Sequence, residues 1–420
     1  MEMNYSKKIS IVIPTRNRAE YLGPCVRTCL MSNDKNLEVV VSNNFSVDDT
    51  EKVIRSIKDP RLKYVATDRD LSMRQNFEFA LSHASGDYVI IIGDDDGVLA
   101  NGLTTLRRLL NKYDPDVLLW RHITYLWPHK YEEPYDGLLK FRYRDFCGPI
   151  KKLDPKKILE GFCKGEIINY RDGANIYHGC ISRRVINQIA TRGGVYFQGQ
   201  VPDVNTAISN LAHAQSLIWV RNPITIAGQG EKSNGAAMNA SAAKRNEQQK
   251  IEQNFLELGV ADPVEPEMNF QIRAISASTY ANLLNVNRVH MNGTLEVDHE
   301  KWREIIINDM KRFPLEHRRW DLLDDFFCQK DPNYRSDSAL LNLDQGVIST
   351  VDGSSGHKPK KYNSKKYGVG PEHLKTVETV ARWLDRVTSP AYFPCEINML
   401  AKVKQLFRMI GMMKNRAMLG

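Results

Sequence analysis

The sequence predicts an α/β protein: a mostly parallel sheet with helices on both faces, followed by a helical C-terminal region. Short apolar, β-branched runs alternate with helical patterns through about the first 125 residues. Residues 88–92 are apolar throughout, as is typical of a strand buried on both faces of a parallel sheet. From about Ala236 onward the apolar spacing is helical.

The predicted elements alternate in chain order. Strands are expected at residues 9–13, 37–41, 62–66, 88–92 and 117–125. Helices are expected at residues 20–31, 48–57, 73–83 and 103–113. Ser46 is the expected cap of the second helix, and the first tolerates Pro24 only in its first turn. A helix at residues 203–212 and a strand at residues 217–226 complete the predicted domain.

The pattern divides the chain into four parts. Residues 1–235 form the α/β domain, and residues 236–330 form a helical region. Residues 331–370 are rich in Gly, Ser, Asn and Lys, which predicts a flexible basic loop or linker. Residues 371–420 contain the last helices.

Composition restricts the protein class. The 420 residues are 42% hydrophobic and 26% charged, which excludes disorder of the whole chain. The net charge of +8 is compatible with nucleotide phosphates, nucleic acid or an anionic membrane. The seven cysteines include no CxxC pair, so we expect neither a disulfide framework nor a zinc site. No apolar segment precedes Lys7, and no run approaches the roughly 18–20 residues of a membrane span, which predicts a cytoplasmic location.

An acidic cluster, defined as Asp94, Asp95 and Asp96, directly follows the apolar run at residues 88–92. Ligands of open parallel sheets bind at the carboxyl ends of the strands. Three adjacent carboxylates repel one another, and a divalent cation removes that cost. A solvated acidic turn is the alternative.

Polar residues follow the first two predicted strands and therefore lie at the same edge of the sheet. Pro14, Thr15, Arg16 and Asn17 follow the first strand, and Asn43 follows the second. Arg74 adds a cation near the start of a helix. Together with the acidic cluster, these residues predict a site for a nucleotide, its phosphates and a metal.

Three segments in this order resemble family 2 glycosyltransferases with the GT-A fold. They are residues 11–17 (IVIPTRN), 39–44 (VVVSNN) with 48–50 (DDT), and 86–96 (GDYVIIIGDDD). The resemblance covers about residues 7–230. It implies that residues 1–235 are a GT-A domain that transfers a sugar from a nucleotide donor to an acceptor.

The resemblance also implies roles for individual residues. Asp94 and Asp96 would form a DxD motif, with Asp94 and Asp95 near the nucleotide and Asp94 and Asp96 binding Mn²⁺ or Mg²⁺. The nucleotide pocket would be lined by Pro14, Thr15, Arg16, Asn17 and Asn43, with Arg74 near the pyrophosphate. The family usually has Asp where Asn43 stands, so the base is read differently here, and a UDP-sugar is the first candidate donor.

The resemblance places the catalytic base of an inverting enzyme at Asp203, at the start of a helix about 100 residues past the acidic cluster. An acidic residue favoured by the helix dipole is the alternative. His178 is a second candidate, for contact with the acceptor or for packing. The loop at residues 228–235 is expected to close over the donor, with Lys232 near the phosphates, or to be a plain interdomain loop.

The C-terminal segment at residues 397–420 reads as a basic amphipathic helix. It carries five basic residues and no acidic one. Such a helix suits the anionic inner face of the plasma membrane and a lipid-linked acceptor, or else docks on the protein or mediates homo-oligomers.

The leading hypothesis is therefore a glycosyltransferase of surface polysaccharide biosynthesis that acts on a glycan or lipid-linked acceptor. A sugar-1-phosphate nucleotidyltransferase is the second, but the turn after the first strand lacks the expected glycines. A nucleic-acid-binding protein is the third, although no recognised binding motif appears and we expect no nucleic-acid partner.

Overall fold

In the computed structural model, the structure describes residues 7–128, 137–141, 146, 148–199, 201–230, 272, 274–313, 318–336, 340, 343, 368–369 and 375–388. The strands are β1 (Ile9–Thr15), β2 (Leu37–Asn43), β3 (Leu62–Ala66), β4 (Tyr88–Ile91), β5 (Gly97–Val98), β6 (Val117–Trp120), β7 (Ile123–Leu126), β8 (Leu138–Phe141), β9 (Lys151–Leu153), β10 (Gly179–Ser182), β11 (Leu217–Val220), β12 (Thr225–Gln229) and β13 (Gly368–Val369). The helices are α1 (Ala19–Leu30), α2 (Thr50–Ser56), α3 (Met73–Ser82), α4 (Ala100–Tyr113), α5 (Pro155–Cys163), α6 (Arg183–Gly193), α7 (Pro202–His213), α8 (Ile275–His290), α9 (His299–Met310), α10 (Trp320–Lys330) and α11 (Val377–Thr388).

Eight strands form the main sheet, in the order β3-β2-β1-β4-β10-β6-β11-β9. Strands β10 and β9 run antiparallel to their neighbours, and the remaining pairs are parallel. The predicted fold class, a mostly parallel sheet with helices and a helical C-terminal region, is confirmed. The carboxyl ends of β1, β2 and β4 share one edge, as the sequence pattern requires.

The apolar strands bury alternate side chains on opposite faces of the sheet. On β1, Val12 joins the core beneath α3 and α5–α10, whereas Ile11 and Ile13 join the core beneath α1 and α4. On β4, Val89 and Ile90 divide between the two cores in the same way. Because both faces are covered, the continuous apolar runs seen in the sequence are explained.

The helices after residue 274 pack on the α/β domain. Helix α8 contacts α6, α7 and α9. Its buried Tyr280 and Leu283 share one apolar cluster with Ile208 of α7 and with Val12 of β1. The described part of the region predicted at 236–330 therefore completes the core of the main sheet.

A second sheet, in the order β13-β8-β7-β12-β5, lies next to the acidic cluster. Two predicted strands were too long. Residues 117–125 are divided between β6 and β7, and residues 217–226 between β11 and β12. In each case the chain leaves the main sheet and enters the second one, which a continuous apolar pattern does not reveal.

Two local predictions in α1 and α2 were wrong. Pro24 lies inside α1 rather than in its first turn. Helix α2 begins at Thr50 with Asp49 as its N-cap residue, and the Ser46 hydroxyl instead accepts a hydrogen bond from the Asn17 N–H, 2.8 Å away.

Five of the seven cysteines lie within the described residues, and these five are free thiols. Cys25, Cys29, Cys163 and Cys180 are buried and unpaired, and Cys328 is exposed. Cys147 and Cys395 lie outside the described residues, as does the segment 397–420. No described helix has the length and apolar character needed to cross a bilayer.

Helix α11 docks on the α/β domain between α1, α4, β5 and β12. Its apolar face buries Val377, Val380, Ala381 and Leu384. The Asp385 carboxylate accepts hydrogen bonds from the N–H groups of Ala100 and Asn101, at 2.9 and 3.0 Å. Helix α4 has no side-chain cap of its own. Asp385, which lies almost 300 positions later in the chain, caps it instead.

Replacing Asp385 with alanine should destabilise the protein by about 0.5–2 kcal/mol, because two N–H groups at the start of α4 lose their acceptor. Urea denaturation followed by circular dichroism would measure the change. Arg386→Ala, an exposed neighbour on the same helix, is the matched control. Equal midpoints for the two variants would contradict the capping role.

Candidate functional site

The acidic cluster lies at the carboxyl end of β4 and is buried. The exposed fractions of Asp94, Asp95 and Asp96 are 2%, 4% and 1%. Three buried carboxylates in sequence are costly unless each has a partner. The structure gives each of them a different environment.

Asp94 has hydrogen-bonding partners on the turn after β1. One carboxylate oxygen accepts a hydrogen bond from the Thr15 hydroxyl at 2.6 Å, and the other forms an ion pair with Arg18 at 3.0 Å. Thr15 was a predicted site residue, and the structure brings it to the cluster. Arg18 was not predicted.

Asp95 has the fewest partners. Its Oδ2 accepts a hydrogen bond from the Gly230 N–H at 3.0 Å, and no described donor reaches its Oδ1. Burial and the charges of Asp96 and Asp94 raise the pKa of Asp95 to about 7, although Arg18 and Gly230 counteract part of this effect. This carboxylate is therefore the one whose charge is least compensated by the protein.

Asp96 is saturated with hydrogen bonds. Its Oδ2 accepts from the Gly93 N–H at 2.6 Å and from the Tyr177 hydroxyl at 2.7 Å, and its Oδ1 accepts from the Gly228 N–H at 2.8 Å. Burial alone would raise the pKa of Asp96, but the nearby His178 ring and the hydrogen bonds from Tyr177 and Gly93 hold it below the ordinary value.

Two glycines make these close approaches possible. A Cβ atom on Gly93 would lie 2.5 Å from the Tyr177 hydroxyl, and one on Gly228 would lie 1.8 Å from the backbone oxygen of Asp95. Residues 228–230, the start of the predicted closing loop, therefore lie directly against the acidic cluster. Lys232 and residues 231–235 lie outside the described part of the chain.

His178 approaches Asp96 from β10 and is held in a left-handed conformation, with φ of 57°. Its Nδ1 lies 2.8 Å from the Thr225 hydroxyl, which accepts a hydrogen bond from the indole N–H of Trp120. We assign the hydroxyl proton of Thr225 to His178 Nδ1, which leaves the Nε2 proton facing Asp96 Oδ2, 3.3 Å away. Among the described residues Nε2 has no hydrogen-bond partner, so the His178 ring lies beside Asp96 without being hydrogen-bonded to it.

The turns after β1 and β2 form one connected edge. Asn17, with φ of 54°, accepts a hydrogen bond from the Val47 N–H through its side-chain oxygen, at 2.8 Å. Asn43 is buried; its amide N–H donates to the Tyr64 hydroxyl at 2.8 Å, and its oxygen accepts from the Ser46 N–H at 3.0 Å. Both asparagines therefore shape the edge, in addition to the nucleotide contacts predicted for them.

The remaining predicted nucleotide residues lie around this edge. Pro14 is buried within β1. Arg16 is partly exposed and forms an ion pair with Asp70. Arg74 is 5% exposed, and its guanidinium donates to the backbone oxygen of Phe197 at 3.2 Å. Arg18, which follows Asn17 directly, provides the cation that contacts the acidic cluster.

Asp203 lies in the first turn of α7 and is partly exposed. Burial raises the pKa of Asp203, while a hydrogen bond from Tyr170 and the charge of Arg171 counteract part of this rise. Arg171 also lies within charge-interaction range of His122, whose ring centroid is 5.0 Å from that of His178.

Four further residues of this site were not predicted from the sequence. Arg18 contacts Asp94 and Tyr177 contacts Asp96 through their side chains, whereas Tyr170 and Arg171 lower the pKa of Asp203. Arg18 lies one position beyond the segment at residues 11–17, and Tyr177 lies next to His178. This proximity to predicted site residues is the sequence feature that could have indicated them. Within the described residues, no group of three His, Cys, Asp or Glu side chains forms a metal-binding set.

Part of the chain is similar in sequence to known glycosyltransferases. Residues 10–168 match the model of Glycosyl transferase family 2. A GalNAc(5)-diNAcBac-PP-undecaprenol beta-1,3-glucosyltransferase of Campylobacter jejuni is 32% identical over 108 residues, which are 25% of this chain and 35% of that protein. Glycosyltransferase GlyG of Streptococcus pneumoniae is 27% identical over 158 residues, 37% of this chain and 50% of that protein.

A crystal structure of S. aureus TarS residues 1–349 in complex with UDP-GlcNAc superposes with a TM-score of 0.45 and 14% sequence identity, and covers 83% of this chain and 95% of that one. The chain spans about a third to a half of the length of the two curated relatives. Residues 10–168, which include the acidic cluster, are therefore the part of the chain that is similar to Glycosyl transferase family 2.

Proposed function

We propose that the protein is a metal-dependent inverting glycosyltransferase. It moves a sugar from a nucleotide-sugar donor, with a UDP-sugar as the first candidate, to a glycan or lipid-linked acceptor in surface polysaccharide biosynthesis. The observation that carries the proposal is the buried acidic cluster at the carboxyl end of β4, within the segment that matches the family.

The donor nucleotide is placed along the edge formed by the turns after β1 and β2. Thr15 and Asn43 sit at this edge, and the hydrogen bonds of Asn17 to the neighbouring turn make it rigid. A rigid edge reduces the entropy lost when a ligand binds. The diphosphate would then lie between this edge and the acidic cluster.

A divalent cation such as Mn²⁺ or Mg²⁺ would bind at the acidic cluster through one or two carboxylates together with the donor phosphates. Asp95 keeps one carboxylate oxygen that no described donor occupies, and its raised pKa reports uncompensated negative charge around it. Asp95 would therefore hold the cation, with Asp94 and Asp96 as further ligands or as supports. A bound divalent cation neutralises charge on the departing diphosphate as a Lewis acid.

Asp203 is the proposed general base. It removes the proton from an acceptor hydroxyl while that oxygen attacks the anomeric carbon and the bond from this carbon to the diphosphate oxygen breaks. A single displacement of this kind inverts the anomeric configuration. The charge interaction with Arg171 favours the ionised form of Asp203, which is the form that accepts a proton.

The acceptor is proposed to be a glycan or a lipid-linked sugar. The Campylobacter relative carries a PP-undecaprenol acceptor in its name, which supports the lipid-linked class. The basic segment at residues 397–420 would bring the enzyme to an anionic membrane that holds such an acceptor. Peripheral association with the inner face of the plasma membrane follows from that proposal.

Release of nucleoside diphosphate from a panel of UDP-, GDP- and dTDP-sugars tests the proposed function. With polyprenyl diphosphate-linked N-acetylhexosamine as acceptor and Mn²⁺ present, we expect one donor class to be consumed, and EDTA to abolish its consumption. Turnover that is equal with and without EDTA would contradict metal dependence. Absence of turnover and of acceptor-independent donor hydrolysis across the panel would contradict the transferase proposal.

A further inference from the structure

Phe45 adopts a backbone conformation that its side chain disfavours. Its φ is 50°, in the left-handed region, just after β2. Five non-glycine residues of the described chain have positive φ, and the other four are Asn17, Asp114, His178 and Asn292. Asparagine, aspartate and histidine are the types that tolerate this region, whereas a bulky residue such as phenylalanine is an outlier there.

The conformation of Phe45 is fixed by hydrogen bonds on both sides. The Asn44 N–H donates to the Thr15 backbone oxygen at 2.9 Å, and the Phe45 N–H donates to the Asn43 backbone oxygen at 3.1 Å. The next two residues, Ser46 and Val47, are both bonded to Asn17. The turn is therefore well defined, and the strain at Phe45 is a property of the fold.

The ring of Phe45 does not contribute to packing. The residue is 52% exposed and belongs to none of the apolar clusters. Its ring has no aromatic or cationic partner in the part of the chain that the structure describes. A small or polar residue would suit this turn better, so neither local conformation nor burial accounts for a phenylalanine.

The position of Phe45 suggests what its ring does. It follows Asn43 by two residues, at the carboxyl edge of β2 and beside the turn that contains Thr15 and Asn17. This is the edge where the proposed function places the donor nucleotide. A nucleobase is a planar ring that stacks on aromatic side chains, and such stacking is tolerant of base identity.

We propose that Phe45 forms the stacking platform for the base of the donor nucleotide. This inference rests on the proposed function and identifies a binding residue within it. Stacking then supplies much of the affinity for the base, and the amide of Asn43 contributes to its selection. The strain in the turn is compensated when the nucleotide covers the ring.

Calorimetric titration of UDP and of inorganic pyrophosphate with Mn²⁺ tests this role. Phe45→Asn removes the ring and suits the left-handed conformation, so it should weaken UDP binding by about 5- to 100-fold. Pyrophosphate affinity should not change, because pyrophosphate has no base. Phe45→Tyr should keep the wild-type affinity, and Val47→Asn, an 86% exposed neighbour, is the matched control.

Thermal denaturation separates stacking from a structural role. Phe45→Asn should melt at the wild-type temperature or above it, because the strain is relieved while no packing is lost. Equal UDP affinity in Phe45→Asn and wild type, or an equal loss for pyrophosphate, would overturn the stacking role alone. Wild-type protein that binds no nucleoside diphosphate would overturn this inference together with the proposed donor.

Discussion

Asp203→Asn should lower the rate of sugar transfer by about 10²–10⁴-fold while leaving the affinity for the donor unchanged. Asparagine has nearly the same shape as aspartate but cannot accept a proton from an acceptor hydroxyl. The proposed donor site lies along β1, β2 and β4, whereas Asp203 lies at the start of α7. The substitution should therefore affect catalysis and not donor binding.

The pH dependence of the wild type should identify the same group. Burial raises the pKa of Asp203, with Tyr170 and Arg171 opposing part of that rise. A general base acts only when it is deprotonated, so kcat/KM should fall as the pH falls through this pKa. The acid limb should consequently lie above the ordinary aspartate value, about 3.9 in model peptides.

Transfer assays with calorimetric donor titrations would measure both effects. Asp172→Asn is the matched control, because Asp172 is an exposed carboxylate in the 3₁₀ turn (Tyr170–Asp172) beside the site. Transfer by Asp203→Asn within a few-fold of the wild-type rate would show that another group is the base. Loss of donor binding in this variant would show that Asp203 acts in the donor site.

Asp95→Asn should abolish the effect of metal on nucleotide binding. The carboxylate of Asp95 has one oxygen without a described hydrogen-bond donor, and an amide in its place carries no charge for a cation. We expect the affinity for UDP in the presence of Mn²⁺ to fall by about 10- to 100-fold, since charge-assisted contacts are worth about 1.5–3 kcal/mol. In EDTA, wild type and variant should bind UDP equally weakly.

Thermal stability provides an independent measure of the negative charge on Asp95. Asp95 is buried beside two carboxylates, with Arg18 as the cation that contacts the cluster. Removing one negative charge should raise the melting temperature in EDTA, because repulsion in the folded state is reduced. A lower melting temperature, together with unchanged metal-dependent binding, would contradict both the repulsion and the metal role of Asp95.

The sequence was sufficient to predict β1, β2 and β4 of the main sheet because these strands are buried on both faces, whereas β9 and β10 were not predicted. The apolar run at residues 88–92 and the β-branched runs before it correspond to β4, β1 and β2. The shared edge of these strands followed from their parallel order, and so did the position of the acidic cluster. Strands β7 and β12 of the second sheet were missed because they continue the apolar pattern of β6 and β11.

The environments of the three carboxylates could not be predicted from the sequence. Asp94, Asp95 and Asp96 are chemically identical, and their differences arise from partners far away in the chain. Tyr177 lies 81 positions from Asp96, and Gly230 lies 135 positions from Asp95. Only the folded arrangement shows which carboxylate oxygen has no hydrogen-bond donor among the described residues.

The docking of α11 also could not be predicted from the sequence. The buried residues Val377, Val380, Ala381 and Leu384 follow a helical spacing, which predicts one apolar face. An apolar face alone does not show which helices and strands it packs against. The contact of Asp385 with the start of α4 depends on the position of the second sheet, which the pattern did not reveal.

The central claim is that the carboxyl edge of the main sheet binds a nucleoside diphosphate together with a divalent cation. Calorimetric titration of UDP, GDP and dTDP into the full chain, with Mn²⁺ and then with EDTA, tests it most directly, with CMP as a monophosphate control. We predict that one diphosphate, with UDP as the first candidate, binds in Mn²⁺ and that EDTA abolishes this binding. Binding of none of the diphosphates, or binding that is equal in Mn²⁺ and EDTA, would contradict the claim.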